Sequence, residues 1–205
     1  ELIEGALLVA LVTVIIIIGF FTPVLGSFLL LVSPLPIIAA VIRWNSRLGI
    51  IVSLLSGVIL FILINASLLL FTIFYTGFLG VALGAAFAEE FKPKTILAIG
   101  TVVAASSFLL ILFVVQFILH IDILAQIEEQ INLVAQTYQQ LGVSNEVIKQ
   151  VSEELLDTLK TTFPALMLSS GLLIAGLNYY FGIKVLTKLE FDYPYQLKAK
   201  KFKPS

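Results

Sequence analysis

Between Leu48 and Ala88 the chain carries no Asp, Glu, Lys or Arg. At about 1.5 Å per helical residue this stretch is roughly twice as long as the 30 Å or so of hydrocarbon in a bilayer. It must therefore cross a membrane twice. Asn65-Ala66-Ser67 is the small polar cluster near its middle and marks the reversal, so the rest of the chain has to be organised around a helical hairpin in lipid.

The rest of the sequence agrees on the solvent: 60% of residues are hydrophobic, 12% are charged, and the mean hydropathy is +1.09. A β-barrel would show short segments alternating apolar and polar residues, whereas the apolar runs here are long and continuous. The expected fold is an all-α polytopic membrane protein. With no cysteine there is neither a disulfide nor a thiolate metal site, and redox compartment cannot be read.

Six spans are expected. The first runs from Leu2 to Phe21 and ends before Thr22-Pro23. The second, Val24 to Ile42, contains Pro34-Leu35-Pro36, which removes two backbone donors and should break the helix, leaving neighbouring helices to cover the gap. Arg43 to Arg47 forms a basic loop with an interfacial tryptophan, followed by the double span. A fifth span runs from Thr95 to His120 and a sixth from Pro164 to Ile183. Between these two, residues 122–160 read as a water-facing αα-hairpin. Its first apolar stripe is Ile127, Ile131, Val134, Tyr138 and Leu141. Gly142 stops that helix and Ser144 caps a second one, whose stripe is Val147, Ile148, Val151, Leu155 and Leu159. These faces, widened by Leu133 and Leu156, exceed what two helices can cover for each other.

The domain plan is thus spans one to five over residues 1–121, the hairpin over 122–160, the sixth span over 161–189 and a basic tail over 190–205. With six spans, Arg43, Arg47, Lys92, Lys94, Lys184, Lys188 and the four lysines from Lys198 to Lys203 share one side, and only Lys149 and Lys160 oppose them. The positive-inside rule then puts both termini in the cytoplasm and the hairpin outside. The tail reads as this topogenic signal, in contact with membrane lipids rather than nucleic acid.

No catalytic or metal-ligating constellation is present: the one histidine has no second His, no Cys and no nucleophile motif beside it. No enzymatic activity and no cofactor is expected. The span cores hold essentially no ionisable residues, which argues against a proton pump or ion-coupled carrier. The polar residues of the outward half offer one ligand-binding candidate: Thr72, Tyr75 and Thr76 on the fourth span, Gln116 and His120 on the fifth, and Ser169 and Ser170 on the sixth. Thr72 with Tyr75 or Thr76, and Gln116 with His120, share helix faces. The competing reading is that such hydroxyls bond their own backbone carbonyls. Ala6 with Ala10 and Gly80 with Gly84 are small-xxx-small pairs that suit either internal packing or partner docking. Asn178-Tyr179-Tyr180 fits an aromatic belt with an interhelical hydrogen bond, and Glu89 and Glu90 are expected to pair with Lys92 or Lys94.

Taken in order, Thr22-Pro23-Val24-Leu25-Gly26, Ser33-Pro34-Leu35-Pro36, the glycine-rich fourth span, the amphipathic hairpin, and Pro164-Ala165-Leu166 leading to Leu177-Asn178-Tyr179-Tyr180 and Lys184 to Leu189 resemble the YybS-like predicted membrane proteins. The resemblance covers nearly the whole chain. It implies a fold similar to the six-helix S components of energy-coupling factor (ECF) transporters. In those, an Ala-x-x-x-Ala pattern on the first helix, matched here by Ala6 and Ala10, packs against a transmembrane coupling subunit that works with ATPases. An S-component-like subunit binding a small, weakly charged or apolar molecule for membrane transport is the function so implied. The alternative is a non-transporting structural or assembly subunit of a larger membrane complex. The expected location is the bacterial cytoplasmic membrane, or a thylakoid-type membrane in a cyanobacterium.

Overall fold

The computed structural model describes residues 2–140, 144–189 and 193–194. Among these, six helical segments are long and apolar enough to cross a membrane: Ile3–Phe21, Leu25–Arg43, Ser46–Leu63, Ala66–Ala88, Pro93–Ile118 and Thr161–Lys188. The all-helical, six-span reading therefore holds. The expected stop at Gly142, the stripe residue Leu141 and the lysines of the tail lie outside the described residues.

The first span is one helix, α1 (Leu2–Phe21). The second is split into α2 (Leu25–Leu31) and α3 (Leu35–Arg43) at the proline pair. Two asparagines then set helix starts by the same device. Asn45 accepts from the Leu48 amide at 2.9 Å and opens α4 (Ser46–Leu63); Asn65 accepts from the Leu68 amide at 3.0 Å and opens α5 (Ala66–Leu70). The reversal thus falls where the polar cluster put it. The fourth span continues through a π-helical stretch, Phe71–Gly77, into α6 (Phe78–Ala88). The fifth is α7 (Pro93–Phe113), ending in a second π-helical turn, Val114–Ile118.

Two features differ from expectation. The second hairpin helix and the sixth span are one helix, α9 (Asn145–Lys188), with Pro164 inside it. Proline suits a helix start, but here it removes one backbone bond from a long helix. In the preceding turn the Thr161 and Thr162 hydroxyls donate to the carbonyls of Asp157 and Thr158, back-bonding of the kind that bends a helix without ending it. Glu89 and Glu90 stand exposed and make no ion pair with Lys92 or Lys94.

The chain divides into two compact units: residues 1–108 with 170–205, and residues 109–169. In the first, Val9, Val12 and Ile16 of α1, Ile37 and Val41 of α3, and Val52 and Leu60 of α4 form a buried cluster. Ile3, Leu7, Leu11, Val14 and Ile18 of α1 stay exposed, as suits a lipid-facing surface. Arg43, at the end of α3, donates to Glu4, at the start of α1, across 3.1 Å, and its guanidinium lies 4.9 Å from the Trp44 ring centre. The α1–α2 connection is a positive-φ γ-turn: the Leu25 amide donates to the Pro23 carbonyl at 2.7 Å, with Val24 at φ 59° and ψ −67°. It brings Gly26 so close to Gly19 that a Cβ at Gly26 would run into the Gly19 carbonyl oxygen.

The second unit contains α8 (Ile123–Gln140) and the first part of α9. Asp122 caps α8, accepting from the Ala125 amide at 3.0 Å.

Candidate binding site

The break in the second span creates the principal polar centre of the first unit. In an uninterrupted helix the Leu31 carbonyl would accept from the Leu35 amide. Leu35 bonds to Val32 instead, at 3.0 Å, so the Leu31 oxygen is free inside the protein. Two other spans supply its donors, the Tyr75 hydroxyl at 2.9 Å and the Asn178 side-chain amide at 2.9 Å. One turn on, Ser33 and Thr76 share a hydrogen bond of 2.9 Å, with both residues fully buried. Spans two, four and six are therefore joined at the proline break, where the turned Leu35 amide leaves an acceptor to fill. Asn178 also donates to Ile174 at 3.0 Å, which fixes its amide orientation and leaves Oδ1 buried without a partner.

The candidate ligand residues can now be placed unit by unit. In the first unit Thr72, Tyr75 and Thr76 are brought together on the π-helical stretch, all buried. Thr72 donates to the Leu68 carbonyl at 2.6 Å, while its own carbonyl accepts from Ser53 at 3.2 Å. Tyr75 stacks on Phe71 with ring centres 4.9 Å apart. These three groups are already bonded to protein atoms. Ser170, also of this unit, is exposed. In the second unit Gln116 is half-buried, and exposed Ser169 donates to the Ala165 carbonyl at 2.8 Å. His120 is exposed, at φ 53°, with Nδ1 3.1 Å from the Ile118 carbonyl oxygen.

A second candidate lies wholly within the second unit, where sequence reasoning placed only an uncovered apolar face. α8 and the first part of α9 enclose a groove of about 510 Å³ lined by Ile131, Val134 and Tyr138 from one helix and Ile148, Val151 and Leu155 from the other. A hollow of about 400 Å³ adjoins it, shares Gln130, Ile131 and Leu155, and brings in Glu129 and Gln126. No described residue from Leu109 to Ser169 is buried.

Comparison with known proteins agrees with this architecture. Residues 10–205 match the family model described as "Predicted membrane protein (DUF2232)". The chain belongs to the DUF2232 family. Among curated proteins it is similar to the uncharacterized protein YybS of Bacillus subtilis (strain 168), with 27% identity over 199 residues, covering 94% of this chain and 64% of YybS. The DUF2232 chain thus spans less than two thirds of the length of that relative. No solved structure matches it. This is an integral membrane protein with a bacterial relative, consistent with the cytoplasmic membrane.

In this DUF2232 protein the two small-xxx-small pairs have different surroundings. Gly80 and Gly84 are not open to a partner: a Cβ at Gly80 would lie 2.7 Å from Cβ of Ile37, and one at Gly84 2.6 Å from Cβ of Val41. Both pack against α3 within the chain, which is the internal-packing reading, and the docking expectation for them is corrected accordingly. Ala6 and Ala10 are both exposed on one face of α1. Sequence reasoning did not single out Ser53, Ser56 or Thr13, buried hydroxyls that bond backbone carbonyls. Ser56 and Thr13 both donate to Val9, at 3.3 and 2.8 Å. The spacing of Ser53 and Ser56, three residues apart on one helix face, is the signal that could have found them.

Proposed function

We propose that this DUF2232 chain is a non-enzymatic membrane subunit that works by association, as a structural or assembly component of a larger membrane complex. The observation that carries this reading is the state of the polar groups in the fourth span. Thr72, Tyr75 and Thr76 are each bonded to protein atoms, and Tyr75 and Thr76 hold the broken second span in place. A ligand entering there would have to break those bonds in a low-dielectric interior, where unpaired groups cost most. Native purification in mild detergent tests the reading. Recovery in a defined complex with other membrane proteins supports it; recovery as a lone chain that is stabilised by a small molecule sinks it.

A second reading, an S-component-like subunit that binds a small, weakly charged or apolar molecule and docks on an ECF-type coupling subunit with ATPases, has two observations in its favour. The Ala6 and Ala10 face is open to a neighbouring helix, and Asn178 Oδ1 has a buried acceptor to offer. Co-purification with a coupling subunit and ATPases, together with a thermal shift on adding vitamins, lipids or isoprenoids, selects this reading over the first.

A further inference from the structure

We infer that the groove of the hairpin is a docking site for an amphipathic helix of a partner membrane protein, with Lys or Arg bordering that helix's apolar stripe. This rests on the associative reading above and gives the partner its chemistry.

Shape is the first ground. Val134 and Tyr138 on α8 remain 55% and 52% exposed, and Val151 and Leu155 on α9 remain 56% and 48% exposed, although the two helices lie side by side. Two helices alone do not close this face. Each row follows helical spacing, Ile131, Val134 and Tyr138 opposite Ile148, Val151 and Leu155, so the trough between them matches the ridge of a third helix. A lipid chain fits the observations less well. Bilayer hydrocarbon is already as apolar as leucine, so moving a chain into a groove open along its length gains little.

Charge is the second ground, and it excludes a second copy as the favoured occupant. Residues 122–160 hold seven carboxylates, Asp122, Glu128, Glu129, Glu146, Glu153, Glu154 and Asp157, against Lys149 and Lys160. Glu129 lines the hollow that continues the groove, and Glu146 and Glu154 are exposed beside Val147 and Leu155. Another hairpin of the same chain would add like charge across the contact. A helix with cationic borders is drawn in by the same field, at a rate and affinity that fall with salt.

The test uses the full chain in phosphatidylcholine nanodiscs and two fluorescent peptides of about five helical turns. Both carry Leu at the apolar positions; one has Lys at its borders and the other Glu. The Lys peptide should bind at least about tenfold more tightly than the Glu peptide after subtraction of empty discs, and lose affinity as salt rises. Val134→Ser and Val151→Ser, exposed positions with no core to disturb, should each weaken binding several-fold at unchanged helicity. Glu129→Gln with Glu154→Gln should narrow the gap between the peptides. A photo-reactive residue in place of Tyr138 should join the Lys peptide. Equal affinity for the two peptides, indifference to both Ser variants, or cross-links at position 138 only to lipid or to a second copy would each overturn the inference. If the native complex is recovered unchanged from Val134→Ser and Val151→Ser, the groove assignment fails while the associative reading stands. If no complex is recovered from the unaltered protein, the associative reading itself has failed.

Discussion

The shared acceptor at Leu31 allows a quantitative test of how the broken span is held. Tyr75→Phe removes one donor and keeps the ring stacked on Phe71; Asn178→Leu removes the other, together with its bond to Ile174, and keeps the branched shape of the side chain. Each single change leaves the Leu31 oxygen one hydrogen bond, so Tyr75→Phe should cost about 0.5–1.5 kcal/mol, the net worth of one such bond, with the lower end expected in a membrane, and Asn178→Leu should cost more through its second bond, to Ile174. The double variant leaves the carbonyl of half-buried Leu31, within a membrane span, with no side-chain donor. Its orphaning adds about 1–3 kcal/mol that neither single variant incurs, so the loss should exceed the sum of the singles by at least about 1 kcal/mol. Equilibrium unfolding in mixed micelles, with denaturing detergent as titrant, measures all four corners of this double-mutant cycle. Additivity within about 0.5 kcal/mol would refute the reasoning, because it would mean that the carbonyl is not shared or that water reaches it.

Three other outcomes are expected from the same assay. Gly80→Ala should destabilise by about 1–3 kcal/mol, since its methyl group enters the Ile37 side chain, whereas Gly176→Ala, with nothing within 4 Å of the added carbon, should be neutral or stabilise by up to about 1 kcal/mol. Val24→Gly should stabilise by about 0.5–1 kcal/mol, because a β-branched residue at positive φ is strained and its 85% exposed side chain forfeits little packing; a loss of stability there would show that the side chain has a partner. Ser33→Ala should cost about 1 kcal/mol through loss of the Thr76 bond, and a Ser33→Ala, Thr76→Val double variant should cost less than the sum of the two singles.

The membrane architecture was legible because it depends on quantities that a sequence states directly. Apolar length fixes a span, and an asparagine between two such runs fixes a reversal, as Asn65 does. The proline pair announced its break for the same reason: missing amides do not depend on context. Pro164 was misleading because one proline is compatible with both a helix start and a helix interior. Continuity through residues 145–188 had to come from the structure. The π-helical stretch left no mark, since winding by one more residue per turn changes no composition. The candidate site was ambiguous at the level of residue type. A threonine in a lipid-buried helix serves a ligand or a backbone carbonyl equally well, and Thr72 and Thr76 are committed by Leu68 and Ser33, partners that spacing on their own helix only half reveals. Gly80 and Gly84 showed that a backbone would come close without showing that it is α3.

Trp44 gives the molecule a built-in optical gauge. It is the only tryptophan, and the guanidinium over its ring is the one held by Glu4. Any event that pulls the start of α1 away from the end of α3 must release Arg43 from one of its two holds, and the indole's emission should register that release. The unlabelled protein can thus report the opening or closing of one end of its own helix bundle by fluorescence alone, with Glu4→Gln as the reference for the released state.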